Sequence, residues 1–422
     1  MDLVGLILFS VLIYIRPQDF VPFLSEGRLV VWVMFFTVAA WVLKEARRHT
    51  TRFPLLSVDW WMCGLLIAAV LSTISVRWLG LTAAVAIEMV KNLIFFVMVA
   101  VVLDSERKLG WFLCSVLLFT AVMCGLACLL PLGIDVFNVG MVGEGRIQGP
   151  GIFMNPNYLA YAAVYAMPVG IWMGFRQRSV LCRVLGMLAL LVLGLTVVLT
   201  QSRGGMIAML VVVSYAVVQK RSVRVRWIAG VLAAAGVFLL MKYEVVRMGT
   251  LGDMRGDMAI VGRIDSWYAG SLMLKSSPLF GVGYGQYLVH FRLAPHSSFV
   301  QVAAEMGLIG LFFWTGLLFH SFRGVRFLMK EQAVSEEYLL TVEGILLAYC
   351  MTGFFATMGL YITLFIACGL AAAVQRIGVR RFEDESKGTL SSTGFAAAYL
   401  CRVGILTGCI IVVWHLLIRM IG

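Results

Sequence analysis

The chain has 422 residues, of which 61% are hydrophobic and only 13% charged, and its mean hydropathy is +0.94. A soluble globule is excluded, because apolar runs on this scale exceed what a compact core can bury. The net charge of +12 would suit a nucleic-acid partner if the basic residues shared one surface, but they are divided among short loops between apolar segments, which argues against nucleic acid.

A helix needs roughly 20 apolar residues to cross ~30 Å of hydrocarbon. In chain order the candidate spans are 3–15, 29–43, 60–76, 83–103, 110–131, 157–175, 181–200, 204–219, 226–242, 297–319, 338–356, 358–375 and 396–418. They predict an all-α, polytopic integral membrane protein with 12–13 transmembrane helices. The first span is followed by Ile15-Arg16-Pro17-Gln18-Asp19 and lacks a small-residue cleavage site, so it reads as a retained span more than as a signal peptide. The chain reads as a single integral membrane domain over 1–422, with 243–296 as a long loop containing short helices and 396–418 as a possible additional C-terminal helix.

The basic groups alternate between loops. One side holds Lys44, Arg47, Arg48 and Arg52; Arg107 and Lys108; Arg176, Arg178 and Arg183; Lys220, Arg221, Arg224 and Arg226; Arg323, Arg326 and Lys330; and Arg376, Arg380, Arg381 and Lys387. The opposite short loops hold only Arg16, Arg28, Arg77, Arg146 and Arg203. The positive-inside rule therefore places the N-terminus in the cytoplasm and the 243–296 loop outside, with the excess charge facing anionic lipid. All nine cysteines lie in or at the ends of apolar spans, which offers neither a disulfide framework nor zinc-ligand spacing. No cofactor is expected. A Walker-type loop, an outer Asp-x-Asp and a His-x-x-x-His are all missing from the sequence, which argues against a nucleotide-driven pump or a metal site.

Three interruptions fall on the outer side. The first, Leu132 to Pro156, is glycine-rich and ends in Asn155-Pro156-Asn157, a helix-entry signal. The second is the tight turn Thr200-Gln201-Ser202-Arg203-Gly204-Gly205, and the third is the 243–296 loop, with Gly262-Arg263-Ile264-Asp265-Ser266-Trp267 and Pro278-Leu279-Phe280-Gly281-Val282-Gly283-Tyr284-Gly285. Each carries an arginine or histidine near the membrane boundary, so the three can converge on one site.

His296 precedes Ser297 and Ser298, good residues for a helix start. On a straight helix Ala303, Gly307 and Gly310 would lie within about 40° of it, a stripe of small residues against which another helix can pack. An imidazole titrating near pH ~6.5 can accept a proton from a hydroxyl, and it can equally cap a structural helix; both readings stand on residue physics. Arg203 sits in a turn too short to leave the interface. It either snorkels to the headgroups or clamps phosphate, the latter aided by close approach at Gly204 and Gly205. Arg263 and Arg146 have the same two options, and Asp265 and Trp267 could be a local ion pair and an interfacial anchor.

Together these residues resemble the O-antigen ligase family of membrane glycosyltransferases, which includes O-antigen polymerases and protein O-oligosaccharyltransferases. The likeness covers roughly residues 145–320. It rests on Arg146 with Gly149 to Asn157, on Thr200 to Gly205, on Gly262-Arg263 with Trp267, and on Pro278 with Gly281, Gly283 and Gly285. Its most specific mark is His296-Ser297 followed by nine residues and Gly307-Leu308-Ile309-Gly310. Tyr14-Ile15-Arg16-Pro17-Gln18 is similar to the O-glycosylation ligases associated with exosortase systems.

The resemblance implies transfer of a glycan from undecaprenyl diphosphate to an acceptor hydroxyl, on lipid A-core or protein, at the periplasmic face of the bacterial inner membrane, without metal. His296 would be the general base; Arg203 and Arg263, supported by Arg146, would bind the diphosphate; Asn155, Asn157, Ser202, Gly204, Ser297, Gly307 and Gly310 would support them. An O-antigen or polysaccharide polymerase shares this chemistry and is the alternative. A transporter or flippase fits less well, because the basic residues gather at one face instead of lining a path across the bilayer. Family ligases are usually drawn with twelve spans and both termini inside, whereas thirteen would leave Gly422 outside.

Overall fold

A computed structural model describes residues 2–14, 29–48, 56–75, 79–143, 145–219, 254–384 and 397–421. Among the described residues the chain forms fourteen α-helices and no strand, only an isolated bridge between Val142 and Arg146. The helices are α1 (Asp2–Tyr14), α2 (Leu29–Arg48), α3 (Ser57–Ser75), α4 (Leu79–Val102), α5 (Glu106–Ala127), α6 (Pro156–Arg176), α7 (Val180–Leu199), α8 (Arg203–Val218), α9 (Met254–Ser276), α10 (Tyr287–His290), α11 (Ser298–Glu331), α12 (Glu336–Phe355), α13 (Ile362–Asp384) and α14 (Ala397–Ile421). Nine are long and apolar enough to cross a membrane, and α8 and the Asp2–Leu12 stretch of α1 are shorter apolar helices.

Twelve of the thirteen expected spans coincide with a helix, and the thirteenth, 226–242, lies outside the described residues, as do Arg16, Arg28, Arg77 and the Ile15 to Gln18 motif. Helices α11 and α13 run past the ends of their apolar windows, to Glu331 and Asp384, because an arginine-rich stretch that leaves the hydrocarbon still favours helix. Of their apolar windows α13 buries 83% and α6 78%, against 22% for α7 and 17% for α14, so α6 and α13 form the centre and α7 and α14 the rim. Helix α11 threads the interior. The Trp61 ring of α3 packs over Gly316, and the Trp314 indole N–H donates 2.9 Å to the Gly359 carbonyl.

The basic end of the bundle is laced by ion pairs. Lys44 of α2 and Lys108 of α5 both bridge Asp2 and Asp104, at 2.7 to 3.1 Å. Arg376 of α13 reaches Asp59 of α3 at 2.6 Å, Arg381 meets Glu106 at 2.9 Å, and Arg326 meets Glu343 at 2.6 Å. Arg376 is buried, and at the membrane boundary a charge held by a carboxylate avoids the cost of an unpaired one.

The 243–296 region also differs from a loop with short helices. Residues 243–253 lie outside the described residues, but α9 is a 23-residue helix, followed by a turn and the four-residue α10. Arg263 and Trp267 thus sit one turn apart on a rigid helix face.

Candidate functional site

The site lies at the end of the bundle opposite the ion-pair lacing, where α6, α8 and α11 begin and α12 ends. Each start has a local cause. The Asn155 side chain accepts 2.9 Å from Asn157 N with Pro156 at the first helical position, and Ser202 accepts 3.2 Å from Gly205 N at the mouth of α8. Between them, Asp135 accepts from the Phe137, Val139 and Gly140 amides, and Gln148 donates 2.7 Å to the Val139 carbonyl, which folds the glycine-rich loop back on itself.

Arg146 joins two of the three interruptions. Its Nε donates 2.9 Å to the Thr200 carbonyl and its Nη2 3.1 Å to Asn157 Oδ1, while its backbone pairs with Val142 in both directions. Two of its donors therefore fasten the first loop to the α7–α8 turn. Arg203 is the first residue of α8, with an exposed side chain at the positive end of that helix. Gly204 beside it is packed against protein: a Cβ there would stand 2.8 Å from the Tyr161 hydroxyl and 2.7 Å from Phe355 Cβ.

The third interruption brings in His296. Its backbone is left-handed, at φ 46°, a conformation a histidine rarely holds. Neighbours hold it there. Its N–H donates 3.0 Å to Thr357 Oγ1, the preceding Pro295 carbonyl accepts 2.8 Å from the Trp267 indole, and Ser298 Oγ both donates to the Ala356 carbonyl at 2.8 Å and accepts from Met358 N at 3.0 Å. Gln301 accepts 3.1 Å from Gly359 N, so α11 and the turn after α12 are stitched along 356–359. Trp267 is thereby a tether for the histidine segment, and no ion pair joins Arg263 to Asp265 among the described residues. The local pair expected of Asp265 is therefore not formed among the described residues, and Trp267 has the Pro295 carbonyl as its partner.

The imidazole itself is exposed on one side. Partial loss of hydration, and then the Arg263 charge, push its pKa below the ordinary histidine value. It is therefore neutral at pH 7 and able to accept a proton. The Tyr161 hydroxyl donates 3.3 Å to the Phe355 carbonyl and lies against Gly204, so Tyr161 marks where α6, α8 and the end of α12 meet.

The small-residue stripe below His296 does not form as a helix-packing face. Helix α11 begins at Ser298 and breaks at Gly307, with φ 65° and ψ −163°. Leu308 N and Ile309 N, which in an unbroken helix would bond to residues 304 and 305, instead donate 2.8 Å and 3.2 Å to the Pro278 and Leu279 carbonyls. The Ala304 and Glu305 carbonyls accept 3.0 Å each from Val282 N and Gly283 N. The 278–283 loop is inserted into the helix ladder, and these four displaced groups each find a partner there. Gly307 and Gly281 have left-handed backbones, and a Cβ on Gly307 would press on the Leu279 backbone, one on Gly281 on that of Glu305. The Glu305 carboxylate, buried, accepts 3.1 Å from Tyr287 N and 3.2 Å from Gln301 Nε2. Gly310 leaves room for the Met306 side chain.

Sequence reasoning did not reach Tyr161, Thr357 or the 356–359 turn. Each acts through contacts 58 to 194 residues away in the chain, and no local motif announces them. Among the singled-out residues, Asn155 and Ser202 are helix caps, Asn157 orients Arg146, and Ser297 is a buried N-cap beside the histidine.

Fold and site together define a multi-pass helical membrane protein whose polar site is assembled from loops at one end. Residues 188–315 are similar to the family described as O-antigen ligase (Wzy_C). The match runs from α7 to the middle of α11 and takes in Arg203, Arg263, His296 and both glycines of the helix break. It is a family of ligases and polymerases that use glycan donors and acceptors in a membrane. No curated protein matches the chain.

Proposed function

We propose that the chain is a metal-independent glycosyltransferase that moves a glycan from undecaprenyl diphosphate to an acceptor hydroxyl, on lipid A-core or protein, at the periplasmic face of the bacterial inner membrane. The observation that carries this reading is the exposed His296, held in a left-handed backbone by the Thr357 hydroxyl at the end of the bundle where the Arg146 and Arg203 loops also lie. In the proposed step the acceptor oxygen forms a bond to the anomeric carbon as the bond from that carbon to the diphosphate oxygen breaks. His296 takes the acceptor proton, and Arg263 and Arg203, with Arg146 behind them, stabilise the departing diphosphate. One direct displacement inverts the anomeric centre. The basic, ion-paired end would face the cytoplasm, in line with the loop charges. The whole chain would act as one membrane domain, with α14 as an added helix.

Purified protein supplied with an undecaprenyl-diphosphate glycan and either lipid A-core or a candidate protein should transfer sugar. His296→Ala should abolish transfer with the helix content and thermal melt unchanged. Full transfer by that variant removes His296 as the base, and extension of the lipid-linked glycan itself, with neither acceptor modified, would instead identify a polymerase.

A further inference from the structure

Helix α4 carries two charges at hydrocarbon depth. It is long and apolar enough to cross a membrane. Lys91 stands midway along it (Leu79–Val102), about 17 Å from either end at 1.5 Å per residue, and Glu88, one turn nearer the outer end, is about 14 Å from that end. Both depths exceed the reach of a side chain, so neither head group arrives at the interface by snorkelling. Both side chains are exposed, and among the described residues neither forms an ion pair or a hydrogen bond, not even with the other. Ionisable groups at this depth are costly and pair with something. The face that bears them is open to another helix. Gly80, Ala84 and Ile87 are exposed along it, while Val85 and Met89 on the far side are buried. With 3.6 residues per turn, Gly80, Ala84, Ile87 and Lys91 fall within about 60° of one another, and Glu88 lies about 60° to one side of Lys91. Gly80 and Ala84, four residues apart, leave room for a second backbone to come close.

We propose that this face of α4 is an interface with a second copy of the chain, in which Glu88 of each copy pairs with Lys91 of the other. Charge complementarity selects the occupant. The face holds one acid and one base a turn apart, so it is neutral overall and complementary to itself. A two-fold axis along the membrane normal sets the two α4 helices parallel and keeps each residue at the same depth in both copies, and in such a contact residue i meets j where j meets i. Two ion pairs then form across one interface. The pairing residues are offset by three positions, about 4.5 Å along the axis, which the two side chains can bridge once the helices touch through Gly80 and Ala84. Bilayer phosphates stay at headgroup depth and cannot serve either group. A partner with a single charge would leave Glu88 or Lys91 without its counter-charge. The buried side of α4 is already taken, since α3 and α13 pack against this helix. The pairing uses no residue of the His296 site and stands whether or not the chain transfers sugar.

The test co-expresses two differently tagged copies of the full-length chain and measures how much of one is recovered with the other from membranes taken up in copolymer nanodiscs. Wild-type copies should be recovered together. Glu88→Lys with itself, and Lys91→Glu with itself, set like charges across the interface and should each cut recovery about fivefold or more, the low end of what interhelical polar contacts contribute in a membrane. Glu88→Lys co-expressed with Lys91→Glu places opposite charges on the two sides and should return recovery to the wild-type level, which also shows that both variants fold. As a second measurement, Ala84→Cys should cross-link between copies on mild oxidation in the membrane, above the wild-type background, whereas Val122→Cys, exposed on α5, should not. Wild-type copies that do not associate, undiminished recovery of either variant with itself, failure of the mixed pair, or no cross-link at Ala84→Cys each overturns the assignment. So does recovery of a different membrane protein in equal amount with a chain that does not pair with itself, which would give this face to that protein.

Discussion

Thr357→Val is the substitution that most directly separates positioning from chemistry at His296. The hydroxyl it removes accepts the His296 N–H at 3.0 Å, and valine keeps nearly the same shape. A left-handed backbone on a non-glycine residue costs on the order of 1–3 kcal/mol, so the histidine stays in it only while its neighbours hold it there. One hydrogen bond contributes about 0.5–1.5 kcal/mol net, and at about 1.4 kcal/mol per decade its loss lowers the equilibrium constant for the held conformer by about twofold to about twelvefold. kcat for glycan transfer should fall by up to that factor. Thr357→Ser should restore most of it. The pH at which activity falls on the acid side should not move, because the ring's surroundings are unaltered. A rate within experimental error of wild type, or an equal loss in the serine variant, would refute the argument that this bond holds the histidine in place.

Gly307→Ala combines a backbone conformation reserved for glycine with a Cβ pressed on the Leu279 backbone, and should lower stability by about 3 kcal/mol or more, read as a fall in the thermal melt of the purified protein. With neutral His296 as the proposed base and its pKa depressed, transfer should persist below the pH at which an ordinary histidine is half-charged and fall only as pH drops through the lowered value; Arg263→Gln should move that limb upward, measured from kcat/KM against pH. Arg203→Gln should raise donor KM with the acceptor KM unchanged, measured by varying each substrate in turn. At the other end, burial raises the Asp104 carboxyl while its bonds to Lys44 and Lys108 more than offset this, so its pKa is lowered. Its contribution to stability is present above the ordinary carboxylate value and is lost as pH falls through the folded-state value, so Asp104→Asn should lower the melt at pH 7 and make it less sensitive to acid.

The site was partly legible in the sequence because some of its contributors lie within one motif. Ser202 to Gly205 is both a helix cap and a close-approach point, and both show in the letters S-R-G-G. His296 with Ser297 and the glycines at 307 and 310 also stood out, but the reason for those glycines did not. Read as a straight helix they form a packing stripe; in the structure Gly307 is where another segment enters the ladder. The periodicity argument fails there because it assumes that residue 308 bonds to residue 304, and a loop carrying Gly281 and Gly283 competes for that bond. Thr357 and Tyr161 were not legible at all, since a threonine or tyrosine at a helix end has no distinctive spacing and matters only through its partner.

What the sequence by itself determined is the material and the layout: apolar segments of helical length, basic residues at one set of ends, and glycine- and arginine-bearing loops at the other. Those properties are local, since hydrophobic length and loop charge are read one segment at a time. What only the tertiary structure decided is which of the loops meet, what holds the histidine in its left-handed backbone, and which lysines and arginines are paired. Those depend on groups far apart in the chain satisfying each other's hydrogen bonds and charges where water is scarce, and no stretch of sequence contains both partners.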